Sequence, residues 1–129
     1  MTIDLICLLI LALWTVPLNH GPAIARVQAG GVKWALSNRE TPVEVPLWVG
    51  RADRAQRNHH DNLVMFAVVI LTTAVTGQAD DITAISSIVI VVMRILHGVF
   101  YVLGIPTLRS LTFFAAFFAL WVIVWRLVI

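Results

Sequence analysis

Arg94 constrains this chain more than any other single residue. It stands near the middle of an apolar run, residues 82–105, and a guanidinium at such a depth in hydrocarbon is costly unless it faces a partner or a polar cavity. His97 and Tyr101 follow at i+3 and i+7, so a helix here has one face reading Arg94, His97, Tyr101. Upstream, Arg54, Asn58 and Asp61 are spaced i, i+4, i+7, with Arg57 four residues before Asp61, which makes a second polar stripe. Arg109 and Ser110 come just after a turn signal at Pro106. Five arginines (51, 54, 57, 94 and 109) therefore gather at one end of the chain's apolar segments, beside Asn58, Asp61, His97, Tyr101 and Ser110. Such a set suits a small anion. Guanidinium forks bind carboxylates through paired hydrogen bonds, and a cation beside a thiol lowers its pKa by ~1 to 3 units from ~8.5. The plainer reading is a solvated, arginine-rich juxtamembrane turn that sets topology and meets anionic lipid. On that reading Arg94 pairs with Asp61 or a backbone carbonyl and locks the bundle, and Arg109 is a topology anchor.

Other chemistries fit these residues poorly. His59, His60 and Asp61 are adjacent, and adjacent side chains on a helix diverge by ~100°, so the three cannot close on one metal ion. Cys7 is the only cysteine and lies in an apolar run, which leaves no disulfide framework and no cysteine-based zinc site. No glycine-rich phosphate loop or nucleophile elbow is present. A basic patch this close to hydrocarbon is not a nucleic-acid groove.

The elements that must position these residues follow from composition. With 60% hydrophobic and 12% charged residues in 129, the chain lies outside the soluble range, and a membrane is its expected solvent. The expectation is an all-α membrane protein, one domain over residues 1–129, with four transmembrane helices near 3–25, 49–77, 81–104 and 107–128. Residues 26–48, with Gly30, Gly31, Pro42 and Pro46, read as the one sizeable loop. A signal peptide is the alternative for the first stretch, given Ala23-Ile24-Ala25, but no basic residue precedes it and Asp4 has the wrong sign. Asp80 and Asp81 suit a helix start, and Gly104 followed by Pro106 suits a stop and restart. Trp14, Trp121 and Trp125 suit interfacial anchors. Lys and Arg are concentrated before the second span, so the long loop and the Pro106 turn are expected in the cytoplasm and both termini on the other side. Arg126 departs from that rule. In a bacterial cell the membrane would be the inner one.

Two stretches also resemble a known family. Arg54-Ala55-Gln56-Arg57-Asn58-His59-His60-Asp61 is similar to the Arg-Ala-x-x-Asn-x-x-Glu motif that opens the second helix in the membrane-associated proteins in eicosanoid and glutathione metabolism. Arg94-Ile-Leu-His97-Gly-Val-Phe-Tyr101, then Leu108-Arg109-Ser110, is similar to that family's third helix and the start of its fourth. The resemblance runs from Trp48 to the C-terminus. It implies a homotrimer of four-helix protomers that binds glutathione between subunits at the cytoplasmic side and needs no metal. By position, Arg54, Arg57, Asn58, Asp61, Arg94, His97 and Tyr101 would hold the tripeptide. Arg109 would stabilise its thiolate, with Ser110 flanking the sulfur and Tyr101 or Ser110 donating a hydrogen bond to it. The implied activity is conjugation to, or reduction of, a lipophilic electrophile drawn from the bilayer. Asp61 stands where the family has glutamate. Phe113 stands where some synthases have tyrosine, which speaks against prostaglandin-type isomerisation. Arg26 and Lys33 both qualify as the family's basic residue at the end of helix one. A small four-helix transporter and a non-catalytic membrane scaffold are the alternatives. The transporter requires an intramembrane acid, for which Asp4 at the chain end is a poor candidate.

Overall fold

In hydrocarbon each backbone amide must be satisfied within the protein, and a helix does this inside its own segment. A computed structural model of the chain, describing residues 1–129, meets that demand with four helices and no strand. They are α1 (Ile3–Ala35), α2 (Leu47–Val75), α3 (Asp81–Leu103) and α4 (Pro106–Val128). Helices α1, α3 and α4 are each long and apolar enough to cross a membrane. Helix α2 has the length, but its first half carries Arg51, Asp53, Arg54, Arg57 and Asp61. Its apolar remainder, residues 63–75, covers only ~20 Å at ~1.5 Å per residue. The polar half therefore needs cover from other helices wherever it enters the bilayer.

The loop expected at residues 26–48 begins only after Ala35. Pro17 and Pro22 lie inside α1. Each removes one backbone bond, at the carbonyls of Leu13 and Leu18, which α1 absorbs while packed on its neighbours; Pro22 itself is buried. The interruption falls instead at Gly31, whose φ of 80° and ψ of 170° lie in a region open to glycine and closed to most side chains. Beyond it the loop is tied back to the helix end, where the Trp34 indole donates to the Thr41 carbonyl at 2.7 Å.

Helix α3 touches all three others, while α1 and α4 do not meet. Leu11, Phe66, Ile70, Ile90, Ala116 and Ile123 are fully buried and form the apolar core in the half of the bundle away from Arg51, Arg54 and Arg109. Within a membrane such packing depends on close approach more than on exclusion of water. The small buried residues Ser86 and Ser87 on α3 and Thr112, Ala116 and Ala119 on α4 permit it. Near that end the buried carboxylate of Asp4 accepts a hydrogen bond from Ser87 Oγ at 2.9 Å, joining α1 to α3.

Asp80 caps α3. Its carboxylate accepts from the Thr83 and Ile82 amides, and the Thr83 hydroxyl answers by accepting from the Asp80 amide. Arg126 at the end of α4 donates to the same carboxylate at 2.7 Å. The Thr83 amide first, and Arg126 after it, hold the Asp80 carboxyl below its ordinary range. A depressed folded-state pKa contributes stability above the unfolded pKa of ~3.9, and the contribution disappears as pH falls through the folded value. Acidification from neutral pH should thus lower the melting temperature of the wild type slightly more than that of Asp80→Asn, followed by circular dichroism in detergent. The difference should be small, because the pair is solvent-screened. Equal acid sensitivity would remove Asp80 from the stability profile.

Candidate functional site

The polar half of α2 and the C-terminal half of α3 lie side by side, and Asn58 of the one meets Arg94 of the other. Arg94 is 1% exposed, and its Nη2 donates to Asn58 Oδ1 at 2.9 Å. Its charge also lies 5.8 Å from the centroid of the Phe66 ring. Asp61 is not the partner. It is exposed beside the Asn58 face of α2, as are Arg54 and Arg57, and neither Arg57 nor Asp61 forms an ion pair. Arg94 therefore carries a buried charge with no counter-ion in the protomer, and its Nε and Nη1 have no partner.

Two adjoining clefts open at this end. One, of about 210 Å³, is lined by Arg51, Arg54, Phe100, Tyr101, Gly104 and Arg109 among others. The other, of about 260 Å³, is lined by Asn58, His97, Tyr101, Arg109, Ser110, Phe113 and Phe114. Tyr101 and Arg109 belong to both. The Arg109 guanidinium stands 4.8 Å from the centroid of the Tyr101 ring, and the Tyr101 hydroxyl has no partner within the protomer. Ser110 is differently placed, since its Oγ donates to the Pro106 carbonyl at 3.0 Å. Its proton is engaged, while that of Tyr101 is free. Phe113 begins an aromatic ladder, with Phe117 at 4.7 Å and Phe114 at 5.6 Å between centroids. The arrangement offers a cationic compartment and an aromatic one, with a phenol and a guanidinium at their junction. That junction suits a reaction between an anionic, polar molecule and an apolar one.

His97 is buried, and its Nδ1 bonds the Arg109 carbonyl at 2.9 Å. His59, His60 and Asp61 diverge as helical neighbours should. His59 is buried with Nε2 on the Leu11 carbonyl at 2.9 Å, and the other two are exposed. That bond from α2 to α1 had no signal in the spacing. Of the two basic residues near the end of α1, Arg26 is half-buried and paired with Asp53 on α2, whereas Lys33 lies exposed beyond the Gly31 break. Arg26 shares a cleft with Asp53, Gln56 and Trp34 on a different face from the two above.

Arg51 was legible only as one of several cations. In the structure its guanidinium lies against Gly104, at the C-terminal cap of α3, with Nη1 3.5 Å from the Leu103 carbonyl. Gly104 has φ of 76°, and a Cβ there would fall 2.6 Å from Arg51 Nη1. Gly104→Ala should destabilise the protein by about 1 to 3 kcal/mol, mainly through the left-handed backbone, because the arginine tip can move aside. Thermal unfolding in detergent reads this, and an unchanged midpoint would contradict it.

No curated protein and no solved structure matches the chain. The model of the MAPEG family matches residues 4–129, essentially the whole length. Three membrane-crossing helices, a fourth with a polar first half, and a match of that extent have one reading: the chain belongs to the MAPEG family, membrane proteins of eicosanoid and glutathione metabolism.

Proposed function

We propose that the protein binds glutathione in the cationic cleft and joins it through its sulfur to a lipophilic electrophile, or uses it to reduce a lipophilic peroxide, from the aromatic side. The observation that carries this reading is the Arg109 guanidinium over Tyr101, at the junction of the two clefts. Glutathione brings two carboxylates, and Arg54 and Arg57 on α2 are the cations to receive them, with the enclosed charge of Arg94 behind Asn58 adding to the field. Asp61 supplies the negative partner for the amine, reaching one methylene less far than glutamate. Arg109 stabilises the thiolate, and the Tyr101 hydroxyl, free where that of Ser110 is engaged, donates to the sulfur. The thiol proton leaves to water, and the thiolate pair forms the new S–C bond as the electrophile's leaving group departs with its bonding pair. With a peroxide it attacks one oxygen, the O–O bond breaks, the alkoxide takes up a proton as alcohol, and a second glutathione converts the sulfenic acid to the disulfide and water. No metal is required.

The same reading proposes a homotrimer. Arg54, Arg57, Asp61, Val64, Val68, Leu71 and Val75 are all exposed and recur at alternating steps of three and four. That is the seam along which helices of separate copies pack. Covering it would shield the polar half of α2 from lipid and place a second chain beside Arg57 and Asp61. Topology follows the lysine and arginine distribution, with the clefts and the loop after α1 cytoplasmic and both termini opposite.

Asp4 is the one observation favouring a transporter, being a buried intramembrane carboxylate. It is held by Ser87, however, and the apolar core with Leu11, Phe66, Ile70 and Ile90 lies between it and the arginines. Calorimetric titration of the detergent-purified protein with glutathione, and then a conjugation assay, tests the enzyme reading. Saturable binding and turnover are expected. A folded oligomer that binds nothing at millimolar glutathione would return the choice to a transporter or a scaffold.

A further inference from the structure

His97 lies among the residues that would contact the tripeptide, yet neither ring nitrogen is open to a cleft. Nδ1 is 2.9 Å from the Arg109 carbonyl. A carbonyl only accepts, so the ring carries its proton on Nδ1 and leaves Nε2 as a lone pair. Nε2 is enclosed and without a partner, on the α3 face that also carries Arg94. The ring is held by its surroundings as well, edge-on to Tyr101 at 5.5 Å and tilted against Phe113 at 5.8 Å.

The carbonyl it holds has a particular place. Arg109 lies in the first turn of α4, just past the Gly104 turn, and its carbonyl also accepts from Thr112 Oγ1 at 2.9 Å. Tyr101 is on α3 and Arg109 on α4, so the 4.8 Å stacking of guanidinium over phenol depends on how the two helices are registered. At this end of the bundle the His97 bond is the one side-chain hydrogen bond joining α3 to α4.

We propose, resting on the thiol reading above, that His97 is a positioning residue. It holds the Arg109 carbonyl and so keeps the Arg109 guanidinium over Tyr101, acting on the sulfur through that pair and not by contact with the tripeptide. Asparagine places an N–H near the position of Nδ1, whereas glutamine reaches toward Nε2, so the two substitutions separate the roles. His97→Gln should lower the conjugation rate at saturating glutathione by roughly tenfold, the scale of one lost buried hydrogen bond. His97→Asn should recover most of that loss, and glutathione affinity should change little in either. The opposite order, equal losses in folded variants, or a loss confined to glutathione affinity would overturn the assignment. Nitrogen NMR of the wild-type His97 ring provides a test that needs no variant. The Nδ1–H tautomer is expected, and an Nε2–H tautomer would exclude the clamp whatever the variants do. Absence of glutathione binding by the wild type would sink the thiol reading, while the tautomer would still report on the clamp.

Discussion

Arg109→Ala is expected to slow conjugation by ~100- to 1000-fold at saturating glutathione, with a much smaller change in glutathione affinity. That range corresponds to ~2.7 to 4 kcal/mol, the scale for removing one preorganised group that stabilises developing or resident negative charge. The substitution is informative because it is local. It removes the guanidinium from above Tyr101 but leaves the backbone carbonyl to which His97 is bonded, so the joint between α3 and α4 survives. Arg109→Lys should fall between the two, since an ammonium keeps the charge and loses the planar stacking on the phenol. The bound thiol should follow suit, ionising at higher pH in Arg109→Ala than in the wild type when thiolate absorbance is followed. Rates and thiolate titrations indistinguishable from wild type would take Arg109 out of the mechanism and leave it as a topology anchor.

The parts of this site that spacing exposed are those carried on single helices. Arg94, His97 and Tyr101 share a face of α3 because three- and four-residue steps do so on any helix, and Asn58 meets Arg94 because its own helix runs alongside. The start of α3 at Asp80 and the restart of α4 after Gly104 were equally legible, since capping and left-handed glycine are local chemistry. What spacing hid is the rotation of each helix relative to its neighbours. Asp61 is seven residues from Arg54 and three from Asn58, yet it faces outward while Asn58 faces Arg94. The same rotation decides that His59 reaches Leu11 while His60 does not. The misplaced end of α1 has a different cause. Glycine and proline break helices in water, where peptide groups freed from the helix find other partners, but in a membrane the helix is the cheaper state even with Pro17 and Pro22 inside it. Only Gly31, through a positive φ, interrupts it. Length is thus a better guide than punctuation for such a segment.

Arg94→Met is expected to separate stability from function. In most proteins, removing one member of a buried polar pair is damaging because the partner is left charged and unpaired. Here the charge is on Arg94 itself, its single hydrogen bond is to a neutral amide, and two of its three guanidinium nitrogens have no partner. Methionine fills a comparable volume with flexible apolar atoms. The main loss is then the bond to Asn58 Oδ1, about 1 to 3 kcal/mol if that oxygen stays unsatisfied, set against the relief of removing an uncompensated buried cation. The melting temperature should accordingly change little, or rise. Glutathione binding should behave in the opposite way and weaken by roughly tenfold, about 1.4 kcal/mol, because the enclosed cation acts on the ligand carboxylates through its field and through the orientation of Asn58 and not by contact. Calorimetric titration and thermal unfolding on the same preparation read both quantities. Should Arg94→Met unfold the protein while Arg94→Lys restores the fold but not glutathione binding, the buried cation would serve structure as well as ligand. If the methionine variant is stable and binds glutathione as the wild type does, the unpaired guanidinium has some occupant other than the tripeptide.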